Sequence, residues 1–161
     1  MRVYRLLYNF FAVISFLPIL FLMVSLPDRM LYQVPAPFNI LMRAGQGIAL
    51  LLLLVAVLQT DLLSFAGLRQ VFEQEKTGPL ITRGLYRYVR HPLYIFSLLI
   101  LWLSPGLSLN SLIVYLALTI YILIGIIFEE RKLLREFGKE YADYRSTTPM
   151  LVPGLKFGWN K

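Results

Sequence analysis

Two blocks of the sequence hold side chains able to do chemistry. The first, Thr77 to Tyr94, contains Gly84, Tyr86, Arg87, Tyr88, Arg90, His91, Pro92 and Tyr94, so that backbone freedom, cations, an imidazole and aromatic rings arrive together. The second, Glu129 to Pro153, opens with two adjacent carboxylates directly after an apolar run and continues through Tyr141 and Tyr144. Adjacent carboxylates at the end of an apolar span are costly unless solvated or paired, and they repel anionic lipid, so Glu129 and Glu130 demand partners. Arginines between Arg131 and Arg135 offer i,i+4 pairs on the same helix; an arginine of the first block or a cationic ligand offers a more specific one. Taken singly, the first block has plainer readings. Arg87 and Arg90 snorkel toward phosphates, Tyr86, Tyr88 and Tyr94 form an interfacial belt, His91 enters a helix, and Pro92 is its first residue.

Residue supply narrows the chemistry. Cysteine is absent and His91 is the single histidine, which excludes disulfides, thiolate nucleophiles and the ordinary Cys/His zinc sites, so any cofactor is organic rather than a metal. Apolar and aromatic residues make up 58% of the 161 positions, and the mean hydropathy is +0.65, a composition of membrane rather than soluble domains. The net charge of +7 sits beside apolar runs, where anionic headgroups and topology account for it and nucleic acid is not needed.

These blocks must be held by helices that cross a bilayer. The run Leu6 to Leu26 is long enough to span and too long for a cleaved leader's apolar region. A second run, Ile40 to Leu63, places Gly45 and Ala49 one turn apart, where another helix can approach closely. The third, Leu93 to Leu103, is too short to cross alone. After Ser104, Pro105 and Gly106 the chain turns into a fourth run, Leu112 to Phe128, so the third and fourth runs form an antiparallel hairpin. Beyond it, Leu133, Leu134, Phe137, Tyr141 and Tyr144 recur at helical spacing as an amphipathic helix. The expected fold is an all-α integral membrane protein with about four transmembrane helices, including the C-terminal hairpin, plus this amphipathic C-terminal helix. Lys and Arg concentrate before the first span, between the second and third, and after the fourth, which places both termini and both chemical blocks in the cytoplasm.

The order and spacing of these elements carry a resemblance. Gly78 to Tyr94, ending in Arg90-His-Pro-Leu-Tyr94, is followed by an apolar hairpin. Glu129-Glu130 then stands seven or eight positions before Phe137-Gly138, with Tyr141 and Tyr144 beyond and Pro153 last. This half of the chain resembles the isoprenylcysteine carboxyl methyltransferase family, related to the phospholipid methyltransferases. Length and the lack of a linker-like stretch predict a single domain over 1–161, with two N-terminal spans over 1–63; the resemblance implies that 77–153 is its cofactor-binding half. It also implies S-adenosyl-L-methionine as cofactor, contacts from Arg90, His91, Tyr94, Glu129, Glu130, Tyr141 and Tyr144, and His91 and Arg90 as catalytic residues. The residue types suit that cofactor. A glutamate, Glu130 foremost, pairs its ammonium, arginine grips its carboxylate, and tyrosine faces stabilise its sulfonium.

The implied reaction is methyl transfer to a lipophilic, membrane-embedded or lipidated acceptor, with oxygen favoured as the methylated atom. An ionised carboxylate attacks unaided, whereas an amine or thiol must lose a proton, for which His91 is the candidate base. Two positions depart from the pattern: Phe96 replaces a small residue, and the segment Arg145 to Pro149 is less basic. The alternatives are a phospholipid N-methyltransferase and a non-catalytic lipid-binding membrane protein.

The topology is testable by single-cysteine labelling in intact cells. Thr77→Cys and Asn160→Cys should be shielded from an impermeant reagent and Asn110→Cys labelled. The reverse pattern would invert the orientation.

Overall fold

The computed structural model describes residues 27–60 and 79–154, together with Ile14, Leu17, Pro18, Phe21 and Ser25, which are helical. The remainder of the Leu6 to Leu26 run, the end of the second run at Leu62 and Leu63, and Thr77 lie outside the described residues. Strand β1 (Met30–Gln33) leads into helix α1 (Phe38–Gln59). A 3-10 turn (Gly84–Arg87) precedes helix α2 (Pro92–Trp102), and strand β2 (Gly106–Ser108), helix α3 (Leu109–Phe137) and helix α4 (Lys139–Thr147) complete the order.

Among the described residues, α1 and α3 are long and apolar enough to cross a membrane, whereas α2 has only 11 residues. Their surfaces are arranged as lipid requires. On α1 the small residues Ala49 and Ala56 are buried, while Leu41, Leu51 and Leu58 are exposed, Leu58 by 77%. In water so much contiguous apolar surface would be a liability. In a bilayer it is the natural outward face, with small residues turned toward neighbouring helices. The protein is a helical membrane protein.

Helix α2 packs chiefly along α1. A Cβ at Gly45 would lie 3.1 Å from Leu103 Cδ1, so the close approach anticipated at Gly45 and Ala49 is realised. The C-terminal end of α2 leaves the Ile100 carbonyl without its helical partner, because Ser104 N–H turns to Leu101 O instead. Gln46 Nε2 donates to that carbonyl at 2.7 Å. An orphan helix carbonyl away from water is thus satisfied by an amide from the neighbouring helix.

Two features depart from the sequence expectation. First, the turn after α2 is not a bare connection. β2 pairs antiparallel with β1, Val34 N–H donates to Pro105 O, and Asp28 Oδ1 accepts from Asn110 N in the first turn of α3. Ser108 and Ser111 close a reciprocal capping box at the same point. Second, α3 does not stop where its apolar run ends. It continues to Phe137, taking Leu133, Leu134 and Phe137 with it, and only Tyr141 and Tyr144 lie on the separate helix α4. The break is Gly138, whose φ of +53° suits glycine and ends one helix as it begins the next. At about 1.5 Å per residue, the twenty residues from Leu109 to Phe128 use up roughly 30 Å of hydrocarbon, so Glu129 and Glu130 fall where the core ends.

Gln46→Leu should therefore lower the thermal midpoint in detergent, consistent with the roughly 0.6–1.7 kcal/mol of an interhelical hydrogen bond in membranes. Leu51→Ala, on the lipid face, should leave the midpoint essentially unmoved. Equal effects would contradict the assignment of inner and outer faces.

Candidate functional site

The site is built where α2 begins and the apolar part of α3 ends. Pro92 occupies the first turn of α2, and His91 is the residue before it, with a non-helical backbone (φ −124°, ψ 64°) that does not continue the helix backward. The backbone of this segment is fastened to the chain after α4: Arg90 N–H donates to Pro149 O at 2.9 Å and His91 N–H to Met150 O at 3.1 Å. That pairing fixes the directions in which the Arg90 and His91 side chains leave.

Both side chains go to Glu130. Arg90 Nε lies 2.8 Å from Glu130 Oε1, an ion pair at an angle that falls short of hydrogen-bond geometry. His91 Nε2 lies 3.1 Å from the same oxygen, and Tyr141 donates its hydroxyl to it at 2.9 Å. Arg145 Nε stands 3.4 Å from Glu130 Oε2. All four partners come from this chain, and Glu130 is only 8% exposed. Arg90 Nη1 is occupied as well, bonding the carbonyls of Arg145 at 2.8 Å and Thr148 at 3.0 Å.

Glu129 is placed differently. Its side chain is 39% exposed, yet Oε2 is buried and, among the described residues, has no hydrogen-bond partner. His91 Nδ1 lies 3.7 Å from that oxygen, too far for a hydrogen bond. The Tyr94 hydroxyl also interacts with the Glu129 carboxylate, and the Tyr94 ring lies 5.6 Å from that of His91. His91, itself 4% exposed, is thus held between two carboxylates, one saturated and one with an oxygen to spare.

The tyrosines complete the enclosure. Tyr144 donates its hydroxyl to the Tyr86 carbonyl, and its ring meets Tyr141 edge-on at 6.0 Å. Burial, reinforced by the Glu130 charge, pushes the Tyr141 hydroxyl well above its ordinary range, and burial pushes Tyr144 up to about 12. Both remain phenols that donate. Among the described residues no cluster of His, Asp and Glu is arranged to hold a metal ion.

All seven residues singled out in the sequence, Arg90, His91, Tyr94, Glu129, Glu130, Tyr141 and Tyr144, are brought to this one end of the bundle. Sequence reasoning missed the roles of Arg145 and of the carbonyls of Thr148, Pro149 and Met150. The first reads as an ordinary basic residue after a span, and backbone acceptors leave no trace in residue types.

Comparison with known proteins adds family context. A family model described as a protein of unknown function (DUF1295) matches residues 2–148. Methanethiol S-methyltransferase 2 of Bradyrhizobium diazoefficiens is 47% identical over 94 residues, 55% of this chain and 36% of the relative. Methanethiol S-methyltransferase of Crocosphaera subtropica is 42% identical over 92 residues, 54% of this chain and 36% of the relative. Its namesake from Pseudomonas deceptionensis is 34% identical over 110 residues, 65% of this chain and 42% of the relative. The matches thus span well under half the length of these curated relatives. No solved structure matches the chain.

Because Tyr141 donates to a buried charged acceptor, Tyr141→Phe should cost about 1.5–3 kcal/mol of stability, read as a lower denaturation midpoint in detergent. Arg135→Gln should cost little, since that side chain bonds a carbonyl of its own exposed helix turn. An unchanged midpoint for Tyr141→Phe would show that Glu130 does not depend on it.

Proposed function

The chain belongs to the DUF1295 family, within the isoprenylcysteine carboxyl methyltransferase-like superfamily, and from that premise we propose that it is a membrane methyltransferase that uses S-adenosyl-L-methionine. The observation that carries the proposal is the buried Oε2 of Glu129, which has no hydrogen bond among the described residues and lies beside His91 and Tyr94. A carboxylate oxygen at the edge of hydrocarbon is expensive to leave without a hydrogen bond, which supports a donor supplied by a ligand.

The residues fit that cofactor, with the work divided. Glu130 and Arg90 are spent on one another and on backbone, and they position the rest. Glu129 accepts from the ligand's ammonium or a hydroxyl, and the Tyr94 face offers the aromatic surface that a sulfonium favours. The cofactor supplies an electrophilic methyl carbon attached to a positively charged sulfur. What the chain supplies is alignment, exclusion of water by packed helices, and a destination for a proton.

The names of the relatives specify a thiol as methyl acceptor, in place of the oxygen acceptor favoured by the sequence resemblance. We accordingly propose a small or lipophilic thiol for this chain. A thiol attacks as its thiolate and must first shed a proton, and His91, whose Nδ1 lies 3.7 Å from Glu129 Oε2, is the residue we propose to take it. Arg83, Arg87, Arg131, Lys132 and Arg135 crowd the same end of the bundle, which supports a cytoplasmic site where the cofactor is made.

Purified protein in nanodiscs should bind S-adenosylhomocysteine with micromolar-scale affinity by calorimetry. It should also transfer label from methyl-labelled S-adenosylmethionine to an alkanethiol in preference to a fatty carboxylate. Folded protein that shows no heat at millimolar S-adenosylhomocysteine would refute the proposal, and label found only on carboxylate would return the acceptor to oxygen.

A further inference from the structure

Helix α1 carries none of the residues that make up the site, yet it grips both ends of the segment that does. At one end Gln46 holds the Ile100 carbonyl. At the other, Gln59, the last residue of α1, accepts from Leu85 N–H through Oε1 at 3.0 Å. Leu85 stands at the start of the 3-10 turn, where a backbone N–H has no partner within its own element. Gly84, with φ of +62°, is pressed against the same amide, since a Cβ there would come within 2.5 Å of Gln59 Oε1 and Nε2. The fit therefore needs both the acceptor on Gln59 and the missing side chain at residue 84.

The turn held this way is in direct contact with the site. Its Tyr86 carbonyl receives the Tyr144 hydroxyl from α4, and three residues after the turn ends the chain reaches Arg90 and His91. On its far side the segment is tied to Pro149 and Met150. Gln59 supplies the opposing tie from α1. Without it, the Leu85 N–H has no partner among the described residues.

We propose that Gln59 is a positioning residue for the site: through Leu85 and Gly84 it sets the place of the turn from which Tyr86, Arg90 and His91 are presented. The role in cofactor binding rests on the methyltransferase reading; the role in holding the turn does not.

The test compares wild type with Gln59→Met, which keeps the length and loses the acceptor, and Gln59→Glu, which keeps the acceptor. Amide exchange over residues 84–88 is followed by mass spectrometry, and S-adenosylhomocysteine affinity by calorimetry. Gln59→Met should speed exchange in that segment about tenfold, as expected for one lost backbone hydrogen bond, and weaken binding severalfold, with exchange elsewhere unchanged. Gln59→Glu should restore both. If Gln59→Met does not fold, Gln59→Asn, one methylene short, carries the same comparison. Exchange at the wild-type rate, acceleration spread evenly over the protein, or no rescue by Gln59→Glu would each overturn the proposal. Wild type that does not bind the probe would remove the methyltransferase reading and leave the exchange measurement to decide the rest.

Discussion

A buried carboxylate at the end of a membrane helix cannot remain alone, and the structure around Glu130 follows from that constraint. One of its oxygens collects Arg90, His91 and Tyr141, and the other faces Arg145. These partners come from the mouth of α2 and from α4, so satisfying one charge draws the sequence-distant mouth of α2 against the consecutive helices α3 and α4. Removing a single partner from such a cluster would leave a desolvated charge, whose cost exceeds the net worth of the pair it had made. The arrangement is thus a strong specifier of geometry and a modest contributor to net stability.

Satisfying Glu130 within the chain is what allows its neighbour to face outward. Successive helical residues point about 100° apart, so with Glu130 turned into the cluster, Glu129 is presented at its edge, beside His91 and Tyr94. On the proposed reading the two carboxylates divide the labour: one builds the site, and the other keeps an oxygen that has no hydrogen bond among the described residues. His91 connects them, which makes its orientation a consequence of the same cluster.

Much of this was legible in the sequence. Hydropathy located α1 to within a few residues of its start, Pro92 marked the beginning of α2, and the pattern from Arg90 to Tyr94 with Glu129, Glu130, Tyr141 and Tyr144 identified the family and the residues that gather at one end. What was not legible has physical reasons. β1 and β2 are four and three residues long, and their pairing is set by tertiary contact rather than by alternation. The continuity of α3 past the glutamates was hidden because Leu133 and Leu134 also fit an independent amphipathic helix, and only Gly138 marks the real break. Which of two adjacent glutamates turns inward depends on helix rotation, which residue types do not encode. Gln59, inside the Ile40 to Leu63 run, gave no signal of its bond to the turn.

The central claim is the division between the two carboxylates, and the most direct measurement takes Glu129→Gln and Glu130→Gln side by side, reading thermal midpoint and S-adenosylhomocysteine affinity for each. Glu129→Gln should keep the midpoint of wild type and lose affinity by roughly tenfold to a hundredfold, as for one charge-assisted hydrogen bond. Glu130→Gln should lower the midpoint markedly, because Arg90 and Arg145 lose their counter-charge. The opposite assignment, with affinity lost and stability kept in Glu130→Gln while Glu129→Gln binds as wild type does, would contradict the account.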